Sequence, residues 1–120
     1  MIKSIKDLEI YNESYQLALE IQKISSSFPK EEKYSLTDQI RRSSRSVPIN
    51  IREGFAKRKY ENVFIKHLVD SIGSSDETRG WLEFANDFNY LEAAIYFDMD
   101  KRYDILNGKI HSLIKKWKNF

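Results

Sequence analysis

The sequence contains no cysteine, and this absence excludes a whole group of functions. There can be no disulfide, no thiolate nucleophile and no Cys-based metal site, and a chain without disulfides fits a reducing cytoplasm. The 120 residues include only two prolines and four glycines, which is too few for a turn-rich β-sandwich. No apolar run approaches the roughly 20 residues that span a bilayer. We therefore expect one cytoplasmic domain over residues 1–120, without a membrane segment.

Motifs that support catalysis or cofactor binding are also missing. His67 and His111 have no acidic residue three positions before them, so the Glu-x-x-His repeat of di-iron bundles does not occur. There is no Gly-rich phosphate loop, zinc-ligand spacing or nucleophile elbow. We expect a protein with no catalytic residues, no metal site and no cofactor, which works by binding.

Apolar periodicity typical of helices is what the sequence does contain. The most regular pattern has alternating spacings of four and three residues, as in helical bundles. Its members are Met99, Tyr103, Leu106, Ile110, Leu113, Trp117 and Phe120. Similar stripes predict helices over about residues 5–27, 34–57 and 60–87, and a fourth from about residue 92. The sequence therefore predicts an all-α four-helix bundle.

Single residues mark where these helices end or bend. Pro29 is predicted to end the first helix, and Pro48 to kink the second rather than stop it. Asn89 is predicted to take the left-handed conformation that ends the third helix. The apolar stripes also predict that Tyr15 of the first helix and Phe88 of the third face the core.

Charge is distributed unevenly along the chain. The net charge is only +2, yet residues 40–59 hold seven basic residues against one acid, and residues 60–104 hold ten acids against four basic residues. Arg41, Arg45, Arg52 and Lys59 fall within about 40° of each other on a helical projection. This basic stripe spans about 27 Å, comparable to several phosphate spacings. It predicts a nucleic-acid surface, and the alternatives are a solvated face or a face that pairs with a neighbouring copy's acidic helices.

A second group of polar residues lies opposite the basic stripe, beside the apolar face of the second helix. Buried polar groups need hydrogen-bond partners, so we expect a structural polar network that fixes bundle register or a subunit contact. Arg42 is a candidate partner for Glu53 in this network, and ligand binding is the alternative role. The network consists of Gln39, Arg42, Ser46, Asn50 and Glu53.

Two segments resemble a known family. The run from Phe28 to Arg42, FPKEEKYSLTDQIRR, resembles the segment FPKEEKYGLTSQIRRA of bacterial four-helix-bundle proteins encoded by intervening sequences within 23S ribosomal RNA genes. The continuation SVPINIREG resembles their SIPxNIAEG motif and departs from it at Arg52, where alanine is common. Further positions match before and after these segments, so the resemblance covers nearly the whole chain.

The resemblance implies an antiparallel up-down four-helix bundle that assembles as a ring-like homopentamer. The family also includes the accessory variability determinant of diversity-generating retroelements, which resembles a basic pentameric barrel that binds nucleic acid and a reverse transcriptase. We therefore expect a non-enzymatic homo-oligomer that binds RNA or a ribonucleoprotein through the basic stripe, with avidity from repeated copies. The alternative is a structural or adaptor homo-oligomer whose basic stripe pairs with neighbouring subunits and which binds a protein partner.

Overall fold

Four long helices follow one another along the chain in a computed structural model that describes residues 2–117. They are α1 (Glu9–Ser25), α2 (Leu36–Ala56), α3 (Glu61–Asp87) and α4 (Ala93–Trp117). Short 3₁₀ turns at Ile5–Asp7 and Lys30–Glu32 precede α1 and α2, and residues 2–117 contain no strand. The predicted all-α fold is confirmed. Within these residues no helix is long and apolar enough to cross a bilayer.

Contacts between the helices show that each packs antiparallel to its neighbours. Ser43 of α2 meets Thr78 of α3, whereas Asn50 later in α2 meets His67 earlier in α3. The α1–α2, α3–α4 and α1–α4 pairs run in opposite directions in the same way. The chain therefore forms an antiparallel up-down bundle, with principal extents of 46 × 24 × 19 Å.

Local sequence explains where the helices begin and end. Asn89 has a φ of 61°, as predicted, and its N–H donates to the carbonyl of Asn86. The N–H of Tyr90 reaches back to the carbonyl of Ala85 at 2.8 Å, which completes a Schellman motif and ends α3. Pro48 lies inside α2 without ending it, as expected.

The core is built on the heptad pattern of α4. Met99, Tyr103, Leu106 and Ile110 are buried, and Leu113 and Trp117 pack at the edge of the core. Phe120, the last member of the pattern, lies outside the described residues. The remaining large buried side chains come from the other three helices, among them Leu17, Ile21, Ile40, Val47, Ile51, Phe64, Leu68 and Leu82.

Two predictions about the core are wrong. Tyr15 is 47% exposed, because α1 turns Ile10, Leu17 and Ile21 towards the core and leaves Tyr15 on its outer edge. Phe88 is 51% exposed, as is Phe84 one turn before it, because α3 turns Leu82 towards the core and leaves this side uncovered. On both helices, therefore, the neighbouring helices cover only part of the apolar stripe.

Of the four glycines, Gly54 of α2 is the one that packs tightly against another helix, α3. A Cβ on Gly54 would lie 2.6 Å from the Cβ of His67 and 3.1 Å from Cδ1 of Phe64. Such a distance is too short for two carbon atoms, so only glycine fits here without a shift of one helix. At Gly73, which also lies in a helix, a Cβ would meet no atom within 4 Å.

These two glycines make a matched test of helix packing. We expect Gly54→Ala to lower the free energy of unfolding by about 1–3 kcal/mol through overpacking. Gly73→Ala is expected to raise it by up to about 1 kcal/mol, because alanine favours helix. Chemical denaturation of both variants checks the sign of each change. Equal effects at the two positions would contradict the close approach of α2 and α3.

Candidate nucleic-acid interface

Three of the four members of the basic stripe lie side by side along the junction of α2 and α1. Arg41, Arg45 and Arg52, here called the arginine row, reach across to side chains and carbonyls of α1. Lys59 is not part of the row, because α2 ends at Ala56 and the helical projection does not apply beyond that residue. Its Nζ lies 6.0 Å from the ring centroid of Tyr60, in the turn before α3.

Arg41 is the most firmly held member of the arginine row. Its Nε donates to Oγ of Ser25 at 2.8 Å. Its Nη2 lies 3.4 Å from both the carbonyl of Gln22 and Oγ of Ser26. The side chain is half-buried, so these acceptors fix the direction in which the guanidinium points.

The other two arginines are more exposed and are each held by one neutral group. Nη2 of Arg45 donates to Oε1 of Gln22 at 2.6 Å. Nη1 of Arg52 donates to the hydroxyl of Tyr11 at 3.0 Å, and its guanidinium carbon lies 5.7 Å from the centroid of that ring. The hydroxyl of Tyr11, a largely buried residue, thus finds its polar partner in a residue of the row itself.

The arginine row carries positive charge that no carboxylate balances within residues 2–117. None of its three guanidinium groups is in an ion pair there, since every acceptor described above is an amide, carbonyl or hydroxyl oxygen. The cations at the other helix junctions differ. Arg79 binds Asp100 at 2.8 Å, and this hydrogen bond raises the pKa of Arg79.

At the junction of α1 and α4 the cations are likewise paired with carboxylates. Arg102 pairs with Glu20 across this junction, and Lys109 lies 2.7 Å from Glu9 and 2.6 Å from Glu13. The hydrogen bond from Lys109 lowers the pKa of Glu9. The bundle therefore uses ion pairs to join α1 to α4, and neutral acceptors to join α1 to the arginine row.

The predicted polar network lies between α2 and α3 and differs in membership from the prediction. Ser46 Oγ lies 2.8 Å from Oγ of Ser74, and Asn50 Nδ2 donates to Ser46. Asn50 Oδ1 lies 3.3 Å from Nδ1 of His67, whose Nε2 is 3.7 Å from Glu53. Three of the five predicted residues therefore meet, with Ser74 and His67 of α3 as their partners.

The other two predicted network residues lie elsewhere. Arg42 does not pair with Glu53, because the helix carries it to the exposed side, where it binds Asp38 at 2.9 Å. Glu53 binds Lys57 at 3.0 Å instead, and this hydrogen bond lowers the pKa of Glu53. Gln39 is exposed and is not connected to the network.

Comparison with known proteins agrees with this architecture. The family model described as "23S rRNA-intervening sequence protein" matches residues 6–112. The chain belongs to this family. A crystal structure of a protein with unknown function, from the S23 ribosomal protein family of Bacteroides thetaiotaomicron VPI-5482, is similar with a TM-score of 0.80 and 26% identity. The similarity covers 88% of this chain and 95% of that chain. No curated protein matches significantly.

Sequence reasoning missed the residues of α1 that hold the arginine row. Tyr11, Gln22, Ser25 and Ser26 recur at spacings that place them on one side of α1. The antiparallel pairing of two adjacent helices, which the family resemblance implied, was a signal that this side faces the basic stripe.

Within residues 2–117, no group of three or more histidine, aspartate or glutamate side chains is arranged to bind a metal.

The bond between Arg52 and Tyr11 can be tested by stability alone. We expect Tyr11→Phe to lower the free energy of unfolding by about 1 kcal/mol, because the hydrogen bond between Arg52 and the largely buried Tyr11 is lost. Tyr15→Phe is the matched control, since the hydroxyl of Tyr15 makes no hydrogen bond within residues 2–117. Urea denaturation measures both changes, and an equal loss in the two variants would contradict the assigned bond.

Proposed function

We propose that this protein is a non-enzymatic homo-oligomer that binds RNA through the arginine row. The observation that carries the proposal is that Arg41, Arg45 and Arg52 are oriented by neutral acceptors of α1 and not neutralised by carboxylates within residues 2–117. A held and unbalanced cation suits an anion from outside the chain, and guanidinium groups match phosphate oxygens in geometry.

The remaining donors of the arginine row point to phosphate binding in particular. A guanidinium has five N–H donors, and the bonds of Arg45 and Arg52 to α1 each use one nitrogen. Most donors of these two side chains are therefore left for a ligand. From Arg41 to Arg52 the helix rises about 16 Å, so the row can follow several consecutive phosphates of an RNA strand.

Oligomer formation is the second part of the proposal. One arginine row is a small electrostatic patch, and its contribution to affinity falls steeply with salt. A ring of copies, a pentamer by family resemblance, would present several rows to one RNA and raise the affinity through avidity. A cytoplasmic location fits this function, since the cytoplasm contains RNA and a chain without cysteine needs no oxidising compartment.

A structural or adaptor role is the alternative, and a second surface favours it. At the end of α3 the rings of Trp81, Phe84, Phe88 and Tyr90 form a chain of contacts with centroids 5.5–5.9 Å apart. Phe84 and Phe88 are half exposed, and acidic residues of α3 lie beside them in the sequence. Such a surface is complementary in charge to the arginine row of another copy.

A matched pair of triple variants distinguishes the two functions. We expect Arg41→Gln, Arg45→Gln and Arg52→Gln together to reduce the slope of log affinity for single-stranded RNA against log salt by about two. The control removes the same charge from exposed cations that are already paired with acids four residues before or after them. It combines Arg42→Gln, Lys57→Gln and Lys66→Gln.

Titration at two salt concentrations, together with light-scattering mass, gives the result. RNA binding that is lost in the row variant and largely kept in the control, with the oligomer intact in both, supports the proposal. If wild type binds no RNA and the row variant dissociates, the adaptor function is supported instead.

A further inference from the structure

An apolar cleft opens beside the arginine row, between α1 and α2. It has a volume of about 320 Å³, and its lining includes Tyr15, Leu19, Pro48 and Ile49, with Arg45 at the rim. Tyr15, Leu19 and Ile49 are 47%, 51% and 57% exposed, which is unusual for three large apolar side chains in one place. The exposed apolar surface suits the flat face of a ligand, and the unpaired positive charge beside it suits an anionic group on the same ligand.

A second cleft lies on the other side of Tyr15, which lines both. Its volume is about 490 Å³, and it is more polar, since Lys6, Asn12, Gln16 and Arg52 contribute to its walls. Tyr15 thus stands between an apolar cleft next to Arg45 and a basic cleft next to Arg52. Along the groove between α1 and α2, an apolar cleft is therefore followed by a cationic one.

The apolar cleft is large enough for a single nucleobase. Ligand sites in proteins have volumes of about 300–1,000 Å³, and this cleft lies at the lower end of that range. A nucleobase has two apolar faces and a polar edge, which matches a cleft walled by Tyr15 and Ile49 with a guanidinium at its rim. Duplex RNA keeps its bases stacked inside the helix, so only an unpaired base can enter.

On the basis of the proposed RNA binding, we infer that the arginine row recognises single-stranded RNA, with one unpaired base stacked on Tyr15. The base occupies the apolar cleft, with Arg45 at its edge. The adjoining phosphate lies in the basic cleft, where Arg52 and Lys6 supply positive charge. Aromatic stacking accepts any base, so the site selects unpaired structure rather than sequence.

The test compares two RNA probes and two tyrosine variants of the full chain. We expect wild type to prefer a short unstructured single-stranded RNA over a duplex of the same sequence. Tyr15→Leu keeps an apolar side chain but removes the ring, and it should weaken single-strand binding about tenfold without changing duplex binding. Tyr15→Phe should lose much less affinity. Tyr34→Leu removes a tyrosine that is 85% exposed elsewhere and serves as the control.

A fluorescent purine analogue placed in the single strand provides a second signal. Its emission should be quenched on binding to wild type and to Tyr34→Leu, and quenched less on binding to Tyr15→Leu, because stacking on the ring is lost. Light-scattering mass is measured for every variant.

The outcomes separate the failure of this inference from the failure of the proposed function. Equal binding of duplex and single strand, or single-strand binding unaffected by Tyr15→Leu, overturns the stacking site and leaves RNA binding by the arginine row in place. A fall in mass in Tyr15→Leu overturns it too, because the cleft then belongs to a contact between copies. Binding of neither probe by wild type overturns the proposed function itself.

Discussion

The close packing of α2 on α3 is the constraint on which the rest of the structure depends. Small or polar side chains line this contact, with Thr78 bonded to Ser43 at 2.8 Å and Gly54 leaving room for His67. Because these bonds recur along the whole contact, α2 cannot rotate about its axis without breaking several of them. The rotation that they fix turns Arg41 and Arg52 towards α1 and turns Ile51 towards the core.

Charge separation in the folded molecule follows from that rotation. Arginines placed against α1 meet the side of that helix that carries tyrosine, glutamine and serine, whereas the acids Glu13 and Glu20 lie on the side next to α4. Lys109 and Arg102 neutralise these acids. Folding therefore uses the acids of α1 to attach α4 and leaves the basic side of α2 without counter-charges from α1.

Sequence periodicity predicted the helices well because each pattern depends on one helix alone. The end of α3 at Asn89 and the passage of α2 through Pro48 are local properties of this kind. Periodicity fixes only the angle of a residue about the axis of its helix, so it could not show that the neighbouring helices leave Tyr15 and Phe88 exposed. The projection also continued past the end of a helix, and for that reason it joined Lys59 to the arginines.

Arg52 extends a surface that the fold already provides. The motif SIPxNIAEG, which this segment resembles, has alanine at this position, and alanine would end the row at Arg45. In this chain Arg52 lies about two helical turns beyond Arg45, on the far side of Pro48, and it is held there by Tyr11. Holding a long side chain in one conformation costs entropy, which the bond to Tyr11 offsets before any ligand arrives. The added charge is therefore preorganised beside Tyr15, at the point where the apolar cleft meets the basic one.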